Sequence, residues 1–167
     1  KHTLTVLVPR ENDHDGALLF ITGGKNENGN PVVRGGDEEF ITALSHLALK
    51  NRAIVSIIWQ VPNQPLFNDL NEDALISFTL HHFKQDWDYS WPLLFPMVKS
   101  AVRAMDAVQE FCLEKLDHRI KSFVISGASK RGWTTWLTGS QDERVSAIAP
   151  MVIDILNMPV NLDYQLK

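Results

Sequence analysis

Three nearly continuous apolar runs constrain this chain more than any other feature: Ala17-Leu18-Leu19-Phe20-Ile21, Ala53-Ile54-Val55-Ser56-Ile57-Ile58-Trp59 and Ser122-Phe123-Val124-Ile125-Ser126. A strand with one wet face alternates polar and apolar residues. These runs do not, so each reads as a strand buried on both faces. Between them lie segments of helical period. Phe40, Ile41, Leu44, Leu47 and Ala48 share one face of a helix that Asp37 can cap. Asn71-Glu72-Asp73 starts a second helix that runs to about Phe83. A third runs from about Met97 to Leu116, with Val98, Ala101, Val102, Met105, Val108 and Cys112 on one stripe. The segment Val145 to Ile155 supplies one more apolar strand.

Strands alternating with helices make a parallel sheet covered on both faces. The run Leu4 to Val8 forms a first strand, and only a short polar turn separates it from Ala17–Ile21. A parallel crossover needs about a dozen residues, so these two strands are expected to pair antiparallel. The expected fold class is a three-layer α/β/α sandwich with a mostly parallel sheet and an antiparallel first strand. That is the pattern of the α/β-hydrolase fold, and other doubly wound folds share it. The segment Lys25 to Gly36, rich in Asn and Gly, reads as loop. Trp87 to Pro96 reads as a loop packed over the long helix; a lid or partner surface is the other use of its aromatic residues.

Composition narrows the partners. The 167 residues carry a formal net charge of −4, which gives no basic field for nucleic acid. No apolar run reaches the roughly 18 residues that would cross a bilayer. A lone cysteine, Cys112, leaves no intrachain disulfide framework. Nothing in the residues calls for a cofactor or a metal ion.

In a parallel sheet, chemistry collects at the carboxyl ends of the strands. Ser129 lies at such an end, in Gly127-Ala128-Ser129-Lys130-Arg131-Gly132-Trp133, after a buried strand and before a helix. The nucleophile-elbow signature Gly-x-Ser-x-Gly is met in part: Arg131 stands at its last position, and Gly132 follows one residue later. The chemical reading makes Ser129 a nucleophile. The plain reading makes it the N-cap of a strand-to-helix turn. An acyl-transfer nucleophile needs an oxyanion hole. Its donors here would be the backbone N–H of Lys130 and that of Gly24, in the Gly23-Gly24 pair that follows the second strand. Arg131, Gly23 and Trp133 are candidate substrate contacts. Two cations at a helix N-terminus oppose its dipole. Either an anionic group compensates them, or both swing away to a carboxylate such as Asp37 or Asp154. An anion- or phosphate-binding helix start is the rival use of Lys130 and Arg131, although no P-loop pattern is present.

A serine nucleophile also needs a histidine base and an acid, in the order Ser, acid, His in this fold. All six histidines (His2, His14, His46, His81, His82 and His118) precede Ser129. His46, His81 and His82 fall within helices, and His118 belongs at the opposite end of the sheet. Asp154, after the last strand, is the candidate acid; a turn cap is its plain reading. The chain ends one strand past the elbow helix. Residues 1–167 therefore read as one α/β-hydrolase-type domain that is incomplete, with the base and the acid expected beyond residue 167. A degenerate, non-catalytic hydrolase relative is the competing view.

The elbow Gly127–Trp133 resembles that of the PhoPQ-activated pathogenicity-related protein family. So do Trp91-Pro92-Leu93 with Pro96-Met97-Val98-Lys99, Ala101-Val102-Arg103-Ala104-Met105-Asp106, Ile21-Thr22-Gly23-Gly24 and the segment Pro150 to Met158. The resemblance implies an α/β hydrolase with Ser129 as nucleophile. It also implies a bacterial, virulence-associated protein that is periplasmic or secreted; a small-molecule or peptide-like substrate goes with the hydrolase reading, and nothing in the residues selects peptides over esters. The elbow spacing is also similar to that of glucuronoyl esterases, in which a basic residue after the serine assists the oxyanion. Three functions follow: a serine hydrolase of an ester or amide; an exported binding or signalling protein that keeps the fold without the chemistry; or an anion-binding module.

Overall fold

The computed structural model describes every residue of the chain except Arg34, Asp37, Asp154 and Leu156. Its elements run β1 (Leu4–Leu7), β2 (Gly16–Ile21), β3 (Asn26–Glu27), β4 (Asn30–Pro31), α1 (Glu39–Asn51), β5 (Ile54–Ile58), α2 (Glu72–Asp86), α3 (Leu94–Leu116), β6 (Ser122–Ala128), α4 (Lys130–Gln141), β7 (Val145–Met151) and α5 (Met158–Gln165). The described residues form a five-stranded sheet in the order β1-β5-β2-β6-β7 and a small β3-β4 hairpin. Strands β5, β2, β6 and β7 are parallel, and β1 is antiparallel. The class read from the sequence is the one observed.

Successive side chains of each central strand point to opposite faces; both faces of β2 and β5 are covered, whereas Val124 of β6 is 39% exposed, short of the burial on both faces expected for that run. Ala17, Leu19 and Ile21 of β2, Ile54 and Ile58 of β5, and Phe123 and Ile125 of β6 pack with Met97, Ala101, Met105 and Val108 of α3. Phe20, Val55, Ile57 and Trp59 pack with Ile41, Leu44 and Ala48 of α1. These two clusters explain why the apolar runs of β2 and β5 do not alternate.

One pairing differs from the sequence expectation. Strand β1 pairs with β5, through Leu4↔Ile58 to Leu7↔Val55, and not with β2. Both edges of β2 are taken by the parallel partners β5 and β6. The remaining edge lies outside β5, whose residues are all buried. Reaching it from β2 takes two interstrand steps, about 10 Å, which the segment 8–15 spans.

Helix boundaries shift as well. The expected cap Asp37 lies outside the described residues. Glu38 caps α1 instead, its carboxylate accepting from the N–H groups of Phe40 and Ile41. Helix α3 begins at Leu94, ahead of the expected Met97, because Leu93 and Leu94 are buried in the core. Pro96 is tolerated in its first turn, where an N–H has no acceptor. The tryptophan loop packs mainly on α2. Trp91 stacks on His82 with centroids 4.5 Å apart, and Tyr89 packs on Phe83 at 5.0 Å.

Candidate functional site: the elbow at Ser129

Strand β6 delivers Ser129 to the carboxyl end of the sheet in a backbone conformation rare for a residue with a side chain, φ 55° and ψ −121°. Two hydrogen bonds fix it there. Its N–H donates to the Met151 carbonyl of β7 at 2.9 Å, and its carbonyl accepts from Trp133 N–H at 3.0 Å, starting α4. The glycine spacing follows from packing. A Cβ on Gly127 would lie 2.8 Å from both Cβ and the carbonyl oxygen of Arg131. A Cβ on Gly132 would lie 2.5 Å from Ile153 Cγ2 and 2.9 Å from the Met151 carbonyl oxygen. The second glycine is needed where α4 crosses the end of β7, which is position 132 and not 131.

The register Ile21↔Gly127 sets the Gly23-Gly24 turn level with Ala128–Lys130 on the neighbouring strand. Gly24 has φ 131°, a conformation that favours glycine. The N–H of Lys130 belongs to the first turn of α4, whose donors have no acceptor within the helix. The two expected oxyanion donors therefore come from adjacent strand ends.

The two cations turn away from the elbow; Asp37 and Asp154, the carboxylates expected to receive them, lie outside the described residues. Both reach the start of α2. Lys130 Nζ lies 2.9 Å from Glu72 and 2.8 Å from Asp73. Arg131 donates to both carboxylate oxygens of Glu72, at 2.7 and 2.8 Å, and through Nε to the Val61 carbonyl at 2.6 Å. Gln64 closes the group, donating to the Glu72 carboxylate and accepting from the Glu72 N–H at 3.0 Å. The Arg131 guanidinium holds the Glu72 carboxyl far below the usual carboxylate range against the opposing effect of burial, with Lys130 and Gln64 assisting. Burial pulls the Lys130 ammonium down, but its bonds to Asp73 and Glu72 outweigh this and leave it above its ordinary value.

Arg131 therefore lies inside the fold. Its side chain is 8% exposed. It packs against Gly23, where any Cβ would fall on the pinned guanidinium. Arg131 and Gly23, read as substrate contacts, are contacts of each other. Trp133 does line an open cleft of about 530 Å³ together with Ser129 and Lys130. The facing wall is one stripe of α2: Asp73, Ile76, Ser77, Leu80, His81 and Lys84. His81 shares the cleft, but its Nε2 accepts from the Gln85 side-chain amide at 3.0 Å.

Among the described residues, no histidine bonds Ser129. His2 bonds the Trp59 carbonyl at 3.0 Å and Ser100 Oγ at 2.9 Å. His118 bonds the His14 carbonyl at 3.0 Å, at the amino end of β2, as its place in the sequence implied. Asp154, the candidate acid, lies outside the described residues. Glu72, Asp73 and Gln64 were not read as part of the site. Glu72 and Asp73 stand 57 to 59 positions before the cations they hold, and their only local signal was an acidic helix start.

The profile of the family described as PhoPQ-activated pathogenicity-related protein matches residues 1–167. The chain is also 37% identical over 171 residues to autocrine proliferation repressor protein A of Dictyostelium discoideum. That match covers 99% of this chain and 33% of the relative, so the chain spans about a third of the relative's length.

Proposed function

Since the chain belongs to the PhoPQ-activated pathogenicity-related protein family, we propose that it carries the nucleophile of an exported serine hydrolase acting on an ester or amide. The observation that supports this most is the backbone of Ser129. A serine held at φ 55° and ψ −121°, at a strand's carboxyl end and open to a cleft, matches the nucleophile elbow. A simple helix cap has no need of that conformation, since capping residues lie in the extended region.

In this reading Ser129 Oγ attacks the substrate carbonyl, and its proton passes to a histidine supplied from outside these 167 residues. The N–H groups of Lys130 and Gly24 hold the oxyanion. Collapse expels the alcohol or amine, which takes the proton, and water then hydrolyses the acyl-enzyme. Asp154 keeps its proposed part as the acid. Arg131 and Glu72 position the elbow and do not touch substrate. The test is turnover of p-nitrophenyl acetate by the full-length protein. Ser129→Ala is expected to lower kcat by roughly 10⁴-fold or more. Unchanged turnover in that variant would reject the reading.

The name of the Dictyostelium relative favours a second reading, an exported signalling or binding protein that retains the fold. It predicts that Ser129→Ala keeps full biological activity. The anion-binding reading has less support, because Glu72 and Asp73 already neutralise Lys130 and Arg131.

A further inference from the structure

The cleft beside Ser129 has a direction. Asp73, Ile76, Leu80 and Lys84 follow one another along a single stripe of α2, three to four residues apart. From Asp73 to Lys84 that stripe is about 16 Å long at 1.5 Å per residue. Lys130, next to Ser129, bonds Asp73 at 2.8 Å, so the serine sits at the Asp73 end. The middle is apolar: Ile76, Leu80 and Ile153, with the Trp133 indole from α4.

Charge is distributed unevenly along this path. At the serine end, Lys130 and Arg131 are matched by Glu72 and Asp73, so the cluster is neutral in sum. At the far end, Lys84 makes no ion pair among the described residues and places a cation on the cleft wall. A ligand that fits this pattern has a carbonyl at one end, an apolar body and an acid at the other end.

We propose that the cleft accepts an extended, medium-chain acyl group ending in a carboxylate, laid along α2 from Ser129 to Lys84. The proposal rests on the hydrolase reading and names the substrate class for it. Ile76, Leu80 and Trp133 exclude water from the chain, and each buried methylene contributes about 0.8 kcal/mol. Lys84 receives the distal carboxylate. The acyl carbon bonds to Ser129 Oγ as the hydroxyl proton passes to the base, the bond to the leaving oxygen breaks with its electron pair on the leaving group, which takes up that proton, and water then releases the diacid from Ser129 Oγ.

The test compares p-nitrophenyl acetate, p-nitrophenyl octanoate and the p-nitrophenyl monoester of suberic acid on the full-length protein. Expected kcat/KM rises from acetate to octanoate to suberate. Lys84→Gln is expected to lower the suberate-to-octanoate ratio about five-fold, the size of a partly exposed ion pair, and Lys84→Arg to restore it. That ratio is also expected to shrink at high salt. Turnover of acetate with no gain for octanoate would overturn the proposal and leave the hydrolase reading standing. So would a suberate preference that survives Lys84→Gln. No acetate turnover, with no labelling of Ser129 by a fluorophosphonate, would remove the hydrolase reading and this proposal with it.

Discussion

Arg131 grips Glu72 through two hydrogen bonds of 2.7 and 2.8 Å, so the residue two places after the elbow serine is fastened to the first turn of α2. The same guanidinium lies on Gly23 and bonds the Val61 carbonyl. One side chain therefore ties together four segments at the carboxyl end of the sheet: the turn after β2, the loop after β5, the start of α2 and the elbow. Arg131 occupies the place of the second glycine in the usual elbow pattern because this contact needs a long, planar, two-pronged donor.

Removing the acceptor leaves the buried guanidinium with the Val61 carbonyl but without its carboxylate. Glu72→Ala is expected to destabilise the protein by about 3 kcal/mol. This is the low end of the cost of breaking a buried pair, because the Glu72 side chain is 42% exposed. Denaturant unfolding of the variant checks it, and a loss below about 0.5 kcal/mol would contradict the clamp.

The clamp also sets an acid limit. The Glu72 carboxyl is held below its ordinary value of 4.5 in the folded protein. Its contribution is therefore full above that value and is lost as pH falls through it towards the lower folded value. Stability of the wild type is expected to drop over this acid range, and Glu72→Gln to flatten that part of the profile. Parallel profiles for the two proteins would rule out the linkage.

His2 acts in the same direction at higher pH. Burial lowers its pKa from 6.5 and outweighs the hydrogen bond to the Trp59 carbonyl, which acts the other way. A depressed folded value means stability is present above about 6.5 and is lost as pH falls. His2→Gln is expected to remove the part of the pH dependence just below 6.5, and thermal melts across that range measure it.

The elbow stores strain. A serine at φ 55° and ψ −121° sits where residues with a Cβ are disfavoured, at a cost on the order of 1–3 kcal/mol. Ser129→Gly is expected to stabilise the fold by about 1 kcal/mol while abolishing any chemistry of the hydroxyl, and Ser129→Ala to leave stability nearly unchanged. A glycine variant less stable than the alanine variant would contradict the strain.

Gly132 is expected to tolerate nothing larger. A methyl there meets Ile153 and the Met151 carbonyl oxygen, and such overpacking costs about 1–3 kcal/mol. Gly132→Ala should lower the unfolding midpoint accordingly; an unchanged midpoint would mean that α4 can move off β7.

The core strands and the elbow were legible because their information is local. Phe123 to Gly132 carries its own strand, turn and helix start, and the continuous apolar runs of β2 and β5 declare burial on both faces, although Val124 shows that the run of β6 overstates it. The partner of β1 was not legible. Proximity in sequence favoured β2, whereas the outcome turned on which sheet edge stayed free after β5 and β6 had paired with β2. The partners of Lys130 and Arg131 were hidden for a similar reason. Glu72 reads as an ordinary acidic helix start, and only the fold shows that it faces the elbow. His81 entered the cleft with Ser129 for the same reason: the stripe of α2 that faces α4 is a tertiary fact.

The measurement that tests the central claim most directly is fluorophosphonate labelling of the full-length protein beside its Ser129→Ala variant. An activated nucleophile predicts one labelled residue, Ser129, and loss of the label in the variant. A folded wild-type protein that takes no label, or a label that persists in Ser129→Ala, would contradict it.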